Sequence, residues 1–560
     1  MMISSLLQAI VVSSVPLFLS GILPTASGEK ANQLFRLPFS LDLGLGVQRF
    51  AFLMFAIVVL SSVLTLATIY YCNRLALSRI PVVSVRLLAS YLDREYEWRA
   101  DKNNADLVKR VVGDTGVVVT QVIQHLIQIT ARGFDIAVIF GVLFWAKPSV
   151  ALTAFCGLAA VYCVLVFLVR KHVRRAGKRL HEANSQLFVM AKEALETALE
   201  ARLLGRRDYF LKRFDGVSKR ASKEMLSIAY IGVLPKPLLE LCLFGGIFLG
   251  VAGLTARGWN ASAIVPLLSL YGAAGIRLLP AAQQMYFSVN NVLAFQAMVQ
   301  DLARDLEWKA DVSQRKQLSQ NASSRDLFDL KNVGFRYQTS TSNVLEDVTF
   351  KIVEGQKVAF VGHTGSGKST LMNLLLGFLE PTFGELRVAG SGISLGYVPQ
   401  KIAFVDGTIA ENIALGVPEG EVDFKRLEEV CKRAQAWEFI SKLDGGLGHE
   451  FGEDATRLSG GQRQRIGIAR ALYHKPRVIV LDEASSALDA QTEKEVYAPL
   501  FGDEQLTVVV ISHRLAVLEG CDRILMLKEG KVVGTGSFSE LKANCGEFKA
   551  MLEAGEVGDR

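Results

Sequence analysis

A glycine-rich stretch at residues 362–369 constrains the fold of this chain more than any other feature. The apolar run 358–361 before it predicts a buried strand, and residues 370–375 after it predict a helix, which is the context that a phosphate-binding loop requires. The stretch fits the pattern G-x-x-x-x-G-K-[ST] in full and reads Gly362-His363-Thr364-Gly365-Ser366-Gly367-Lys368-Ser369, followed by Thr370. We therefore predict a nucleotide site in which Lys368 contacts the β- and γ-phosphates and the Ser369 hydroxyl ligates Mg²⁺.

A second apolar run, residues 478–481, ends in the two carboxylates Asp482 and Glu483. This pattern is typical of a buried parallel strand with acidic side chains at its carboxyl end. In a phosphoryl-transfer site the first carboxylate would join the Mg²⁺ shell, and the second would polarise the attacking water.

The composition predicts two different halves. The chain has 560 residues, of which 50% are hydrophobic and 21% charged, and its mean hydropathy is +0.28. Nearly every long uncharged run lies before about residue 295, whereas short β-rich runs alternate with helical patterns beyond residue 325. We expect a membrane domain followed by an α/β domain.

Six segments of the first half are long and apolar enough to span a bilayer. They lie at about 1–25, 50–72, 124–145, 150–169, 235–254 and 263–289. Arg and Lys are abundant in the loops after the second and fourth segments, which places both chain ends in the cytoplasm by the positive-inside rule. These basic flanks account for the net charge of +7, so we expect no nucleic-acid partner.

Charged residues inside the predicted spans mark a candidate substrate cavity. They are Arg132 and Asp135 in the third span, Glu240 in the fifth and Arg277 in the sixth. Each would cost about 2.5–3.5 kcal/mol at the bilayer centre if it faced lipid, so we expect them to face the protein interior. In one interpretation the arginines, with Gln128 on the same helix face, receive an anionic head group. In the other, arginines and carboxylates pair and hold helices together.

The pentapeptide Leu458-Ser459-Gly460-Gly461-Gln462 resembles the signature of the ATP-binding-cassette family. In this family the signature of one cassette completes the ATP site of another, so the resemblance implies a dimer: a homodimer or a pairing with a related half-transporter. Other positions match the family's motifs. The resemblance implies that Tyr337 stacks on adenine, Gln400 senses Mg²⁺ and the water, Asp489 lies in the D-loop, and His513 contacts the γ-phosphate. One departure is Ala455, where a glycine is usual.

The whole chain resembles a half-size exporter: an all-α domain of six membrane helices followed by an α/β P-loop domain, in the layout called type IV. We expect the membrane domain at 1–300, a linker at 301–325 and the nucleotide-binding domain at 326–560. The resemblance implies coupling helices near 104–111 and 205–214, ATP and Mg²⁺ as cofactors, and membrane lipid around the helices. The implied location is a bacterial inner membrane, with the nucleotide-binding domain in the cytoplasm.

The substrate class is the least determined feature. The stretch 277–280 and the pair Pro235 and Glu240 resemble flippases of lipid-linked oligosaccharides, which implies ATP-driven export or flipping of an amphipathic or lipid-linked molecule by alternating access. Drugs, thiols and siderophores are alternative substrates of the same architecture. A nucleotide-regulated channel is an alternative of another class, and Glu483 argues against it because a regulator can dispense with a catalytic carboxylate.

Overall fold

The computed structural model describes residues 2–22, 47–100, 102–146, 148–256, 261–308, 326–338, 340–389, 393–451, 458–483 and 490–553. The chain divides into two compact units. The first comprises Met1–Arg94 and Asp101–Ala310, and the second comprises Glu95–Ala100 and Asp311–Arg560.

The described residues of the first unit form helices joined by short turns. Its helices are α1 Met2–Ile22, α2 Val47–Leu77, α3 Arg79–Leu92, α5 Asn104–Val108, α6 Thr115–Val118, α7 Gln124–Ala146, α8 Pro148–Glu196, α9 Ala198–Leu203, α10 Arg207–Val233, α11 Pro235–Ala256, α12 Ala261–Ala294 and α13 Gln296–Glu307. The short helix α4 Tyr96–Ala100 lies between α3 and α5 in sequence but belongs to the second unit. Two π-helical stretches, Lys109–Asp114 and Val119–Ile123, join α5, α6 and α7.

A helix lies at each of the six predicted membrane segments. Among the described residues, four helical stretches are long and apolar enough to cross a membrane: Gln48–Leu92, Asn104–Ala146, Pro148–Glu196 and Arg207–Gly253. A shorter apolar helix covers Ile3–Val15. In each of the four long stretches, at most 18% of an apolar 18-residue segment is buried within the protein. These helices therefore present apolar surface that requires lipid around it.

Polar residues between the helices of this unit cap a helix or form a turn. The Asn103 side chain accepts a 2.9 Å hydrogen bond from the backbone N–H of Ala105 and so caps the helix that follows. Gly205 adopts a φ of 63° in the turn before α10, a conformation that costs glycine little. Residues 104–111 begin the long helical stretch that ends at Ala146, and residues 205–214 cover the turn before α10 and its first residues; their role as coupling helices stays a prediction.

The predicted linker differs from the structure at its start, where residues 301–307 belong to α13. This helix buries Met298 and Leu302 on one face. Near its end, Asp305 accepts hydrogen bonds from the hydroxyl of Tyr91 at 2.6 Å and from Arg110 at 2.9 Å. These contacts with α3 and the π-helical stretch fold the polar segment, whereas 309–325 lie outside the described residues.

Three sheets form the framework of the second unit within its described residues. The strands are β1 Asp326–Phe335, β2 Leu345–Val353, β3 Lys357–Val361, β4 Phe383–Val388, β5 Leu395–Val398, β6 Gly407–Thr408, β7 Glu450–Phe451, β8 Val478–Asp482, β9 Thr507–Ile511, β10 Arg523–Lys528 and β11 Lys531–Gly536. A six-stranded sheet has the order β11-β10-β3-β9-β8-β5, a three-stranded sheet the order β2-β1-β4, and β6 pairs with β7. In the six-stranded sheet only the edge pair β10–β11 is antiparallel.

Helices and apolar side chains cover both faces of the six-stranded sheet. The helices of this unit after α4 are α14 Lys368–Leu375, α15 Ile409–Ile413, α16 Phe424–Arg433, α17 Trp437–Ile440, α18 Gly460–Tyr473, α19 Ala490–Phe501, α20 Leu515–Glu519, α21 Phe538–Asn544 and α22 Gly546–Glu553. Alternate residues of one strand enter different cores: Ala359 and Val361 face one, and Val358 and Phe360 face the other. Uninterrupted apolar strands therefore lie at the centre of this sheet.

Candidate nucleotide site and membrane cavity

The phosphate loop follows the carboxyl end of β3 and leads into α14, as the sequence predicts. Gly362, Gly365 and Gly367 have φ values of 153°, 82° and 98°, which side chains rarely tolerate. A Cβ on Gly362 would lie 2.2 Å from the carbonyl oxygen of Leu527, and one on Gly367 would lie 2.7 Å from a methyl of Leu345. The positive φ values favour glycine at all three positions. At Gly362 and Gly367, the close approach of Leu527 and Leu345 leaves no room for a Cβ.

Lys368 is folded back onto the loop that precedes it. Its Nζ donates to the carbonyl oxygens of Gly362 at 2.6 Å and His363 at 2.9 Å, and the residue is only 7% exposed. Burial lowers the pKa of Lys368, and the nearby charges of Glu483 and Asp482 oppose that shift. The ammonium group therefore lies at the mouth of the loop, within the electrostatic reach of both carboxylates.

Asp482 and Glu483 take different backbone conformations where β8 ends. Asp482 is the last strand residue and pairs with Ile511 of β9. Glu483 has a φ of 46°, in the left-handed region that non-glycine residues seldom adopt, while its N–H still bonds to the Ile511 carbonyl at 3.2 Å. Its carboxylate accepts a 2.6 Å hydrogen bond from Gln400 Nε2. The left-handed residue after the strand is a feature that the sequence did not reveal.

The charge balance around Asp482 suits a cation. Burial raises the pKa of Asp482 and the neighbouring charge of Glu483 raises it further, against the opposing effects of Tyr397 and Lys368. Asp482 and Glu483 are adjacent and Gln400 contacts Glu483, and the oxygens of these side chains and of the Ser369 hydroxyl at the start of α14 are of the kind that Mg²⁺ prefers. Among the described residues no group of three or more His, Cys, Asp or Glu side chains is placed to hold a metal. The oxygen donors present fit an Mg²⁺ ion, which commonly takes its other ligands from phosphate and water.

The predicted adenine contact lies beside the phosphate loop. The hydroxyl of Tyr337 and Oγ1 of Thr370 are 3.2 Å apart. Phe335 packs edge-on against the Tyr337 ring, with centroids 4.9 Å apart. These two contacts position the aromatic ring near the start of α14, as a base-stacking role would need.

The signature pentapeptide begins α18 through a capping box. The Ser459 hydroxyl accepts from the Gln462 N–H at 3.2 Å, and the Gln462 side chain accepts from the Ser459 N–H at 2.8 Å. Such a box stabilises a helix by about 1 kcal/mol. Within the described residues, every hydrogen bond that these five residues make stays inside the start of α18. The N-terminus of the helix thus has its positive end available for a phosphate.

Of the remaining predicted residues, His513 lies just after the end of β9. The next residue, Arg514, forms a 3.2 Å ion pair with Glu493 of α19, which is 1% exposed. Asp489 lies outside the described residues. The Glu493–Arg514 pair was not predicted; the sequence offers no spacing signal for it because 21 residues separate the two.

In the membrane unit, two of the four predicted charges pair with each other. Arg132 Nη1 donates to Asp135 Oδ2 at 2.9 Å, and the Ser5 hydroxyl of α1 donates to Asp135 Oδ1 at 2.6 Å. Gln128, one turn away on α7, accepts a 2.8 Å hydrogen bond from Gln284 of α12. The polar face of α7 is therefore turned inward, and its ion pair is also a link to α1.

A cavity of about 260 Å³ opens at this polar face. Its walls come from α1, α2, α7 and α12 and include Ser4, Gln8, Thr65, Thr68, Cys72, Asn73, Gln128, Arg132, Asp135 and Gln284. Glu240 and Arg277 do not line it, and no ion pair or hydrogen bond joins either of them to another described residue. The structure thus brings Gln128, Arg132 and Asp135 together and leaves the other two candidates apart.

The fold and the site define a P-loop nucleotide hydrolase on the same chain as membrane-spanning helices. Residues 345–486 match the family described as ABC transporter, and residues 1–266 match the ABC transporter transmembrane region. A protein of Alkalilimnicola ehrlichii named ATP-dependent lipid A-core flippase is 30% identical over 70% of this chain and 68% of its own length. Proteins of the same name are 29% identical in Pseudomonas aeruginosa, over 87% of this chain and 81% of theirs, and in Vibrio cholerae, over 85% and 82%.

The chain therefore belongs to the ABC transporter family. A solved structure of a bacterial Atm1-family ABC exporter with ATP bound has the same fold, with a TM-score of 0.80 and 20% identity over 99% of this chain and 97% of that one. The predictions of an ABC exporter fold, of ATP binding and of ATP-driven transport are confirmed. The chain is a multi-pass membrane protein of the half-transporter layout, a layout that generally works as a dimer.

Proposed function

We propose that this protein is an ATP-driven flippase for an amphipathic, lipid-linked molecule, assembled as a homodimer in a bacterial inner membrane. The observation that carries the proposal is the cavity at the inward face of α7, in which a paired arginine and a ring of amides and hydroxyls lie among helices that are otherwise apolar. The polar head of an amphipathic molecule would match the cavity lining, and its apolar tail would match the apolar helices around the cavity. The names of the bacterial relatives, which refer to the lipid A core, support the same class of substrate.

The ATP site would work as follows. Lys368, Ser369 and the loop N–H groups bind the phosphates, and Tyr337 stacks on the base. Mg²⁺, held by Ser369, Asp482 and Gln400, would neutralise phosphate charge when bound. Glu483 polarises the attacking water, since its carboxylate is already oriented by Gln400 at 2.6 Å.

A second chain would complete this site. The positive end of α18, with Leu458, Ser459, Gly460, Gly461 and Gln462, has no hydrogen bond outside its own helix start among the described residues and can approach the γ-phosphate bound to the partner. Asp489 and His513 would lie at the same junction. Because each motif is present in this one chain, a homodimer has two competent sites. The molar mass of the pure protein in detergent should be that of two chains, and a monomeric mass in the presence of ATP would contradict the shared site.

The membrane charges divide into two roles in this proposal. The Arg132–Asp135 pair is neutral overall, so the cavity favours the hydroxyls of a saccharide head over a doubly charged group. Arg277, which is half-buried and has no ion pair among the described residues, is the better candidate for an anionic group such as phosphate. Glu240 stays a candidate for the same path.

The substrate is best tested by ATPase stimulation in proteoliposomes. Lipid-linked saccharides, glycolipids, phospholipids, small thiols and hydrophobic drugs are compared at equal membrane concentration. We expect saturable stimulation by molecules that join a saccharide head to lipid chains. Stimulation by drugs or thiols alone would replace the proposal with a small-molecule exporter, and an ATP-gated ionic current without lipid movement would indicate a channel.

A further inference from the structure

Tyr397 reaches Asp482 from the neighbouring strand. In the parallel pair β5–β8, Tyr397 lies opposite Val480. Asp482 is two residues further along β8, so both side chains point to the same face of the sheet. Burial, and after it the charge of the Asp482 carboxylate, raises the pKa of Tyr397 to about 12, and Tyr397 in turn lowers the pKa of Asp482, so the phenol and the carboxylate lie close enough to interact.

Two further rings hold Tyr397 in this position. Phe378, which follows α14, packs against Tyr397 edge-on, with centroids 6.0 Å apart and an interplanar angle of 77°. The Phe378 ring is also stacked on Tyr96 of α4, with centroids 5.8 Å apart and an angle of 8°. Residues 95–100 belong to the same compact unit as Phe378 and Tyr397. Phe378 and Tyr96 are 44% and 41% exposed despite the stack, so burial alone does not fix their rings.

We propose that Tyr397 is a positioning residue for the metal ligand Asp482, and that the Tyr96–Phe378 stack holds Tyr397 in the required rotamer. A carboxylate at a strand end can rotate about its terminal torsion, which has broad wells. The phenol fixes that rotation and keeps the carboxylate from turning towards the Lys368 ammonium. Metal-ligating carboxylates commonly depend on an outer hydrogen bond.

The stack gives residues 95–100 a physical route to the nucleotide site. In sequence this segment lies between α3 and α5 of the membrane unit. If the Tyr96 ring leaves Phe378, Phe378 and Tyr397 gain rotational freedom, and Asp482 loses its orientation. The inference rests on the proposed function only in taking Asp482 as a metal ligand.

The test is a titration with Mn²⁺, followed by electron paramagnetic resonance, of the full-length protein in detergent with a non-hydrolysable ATP analogue. Tyr397→Phe keeps the ring and removes the hydroxyl, and we expect it to raise the half-saturating Mn²⁺ concentration about 10-fold. Tyr96→Leu should raise it about two- to ten-fold, the range of an aromatic pair. Because both variants act through one carboxylate, the double variant should bind Mn²⁺ no more weakly than Tyr397→Phe alone.

Two controls make the outcome decisive. Tyr473→Phe removes a hydroxyl that accepts a 2.9 Å hydrogen bond from the Asp423 N–H elsewhere in the same unit, and it should match the wild type. Binding of the analogue without metal should be equal in all Tyr variants. Wild-type Mn²⁺ binding by Tyr397→Phe, or effects of Tyr96→Leu and Tyr397→Phe that simply add, would overturn the inference. Asp482→Asn should abolish tight Mn²⁺ binding; if it does not, the metal assignment itself is wrong, which is a different failure.

Discussion

The side-chain amide of Gln400 donates a 2.6 Å hydrogen bond to the carboxylate of Glu483. Glu483 reaches this partner from a left-handed backbone position, with a φ of 46°, directly after the strand that ends in Asp482. Non-glycine residues in this region cost about 1–3 kcal/mol and persist where the surrounding structure imposes them. From this backbone position the proposed catalytic carboxylate contacts Gln400.

Glu483→Gln should stop turnover while leaving nucleotide binding intact. The amide cannot accept the proton of the attacking water, and loss of a general base costs about 10²–10⁴-fold in rate. Release of inorganic phosphate measures the rate, and retained radiolabelled ATP measures trapping. Glu504→Gln, at an exposed loop position, is the control and should hydrolyse ATP normally. Hydrolysis by Glu483→Gln at the wild-type rate would show that another group is the base.

Asp482→Asn should stabilise the nucleotide-free protein and remove its stabilisation by Mg²⁺ and ATP. The folded-state pKa of Asp482 is raised above the unfolded value of 3.8 by burial and by Glu483. The stability that comes from binding the proton is therefore complete below pH 3.8 and is lost as the pH rises through the folded-state pKa. At neutral pH the ionised carboxylate lowers stability, which the neutral amide avoids.

Thermal unfolding in detergent measures this effect. The midpoint of Asp482→Asn should exceed that of the wild type at pH 8, and the difference should shrink towards pH 5. Addition of Mg²⁺ and ATP should raise the wild-type midpoint far more than that of the variant. A lower midpoint for nucleotide-free Asp482→Asn at pH 8 would contradict the account of this carboxylate.

Much of this site could be predicted from the sequence because its parts are local. The loop at 362–369, the strand ending at Asp482 and the helix beginning at Gly460 each depend on residues adjacent in the chain. The Tyr397–Asp482 and Glu493–Arg514 contacts could not be predicted, since they depend on which strands become neighbours and on their register. The same holds for the membrane unit. The polar face of α7 could be predicted because Gln128, Arg132 and Asp135 are four and three residues apart, but the hydrogen bond from Ser5 to Asp135 joins residues 130 positions apart.

Gly362→Ala should destabilise the second unit and abolish nucleotide binding. The added Cβ would lie 2.2 Å from the Leu527 carbonyl oxygen, and the φ of 153° is unfavourable for alanine. Strained backbone alone costs about 1–3 kcal/mol. Gly420→Ala is the matched control, because no atom lies within 4 Å of its Cβ. Equal thermal midpoints and equal ATP affinity in the two variants would exclude the steric explanation.

Glu493→Gln should lower the rate of hydrolysis through the segment that carries His513. Glu493 is almost fully buried and pairs with Arg514, and breaking a buried pair by removing one charge costs about 3–5 kcal/mol. We expect a lower thermal midpoint and a lower kcat with little change in KM for ATP. Arg514→Gln should have a similar effect, and the double variant should be less impaired than the two effects added together. Strict additivity would mean that the pair does not act as a unit.

Arg277→Gln should abolish the stimulation of ATPase activity by an anionic lipid-linked substrate. Arg277 is half-buried, lies on a membrane helix and has no ion pair or hydrogen bond among the described residues, so its charge is available to a ligand. Arg132→Gln should instead weaken stimulation by charged and uncharged glycolipids alike, because it alters the neutral cavity. Arg220→Gln, an exposed site on α10, serves as the control. Unchanged stimulation in Arg277→Gln would remove this residue from the substrate path.

The most direct test of the flippase proposal is to follow lipid movement in proteoliposomes that contain the purified protein. A fluorescent glycolipid is placed in both leaflets, and a membrane-impermeant quencher reports the fraction in the outer one. We predict that Mg²⁺ and ATP change this fraction with the wild-type protein but not with Glu483→Gln. Hydrolysis of ATP at the full rate with no change in the distribution of any glycolipid or lipid-linked saccharide would contradict the proposal.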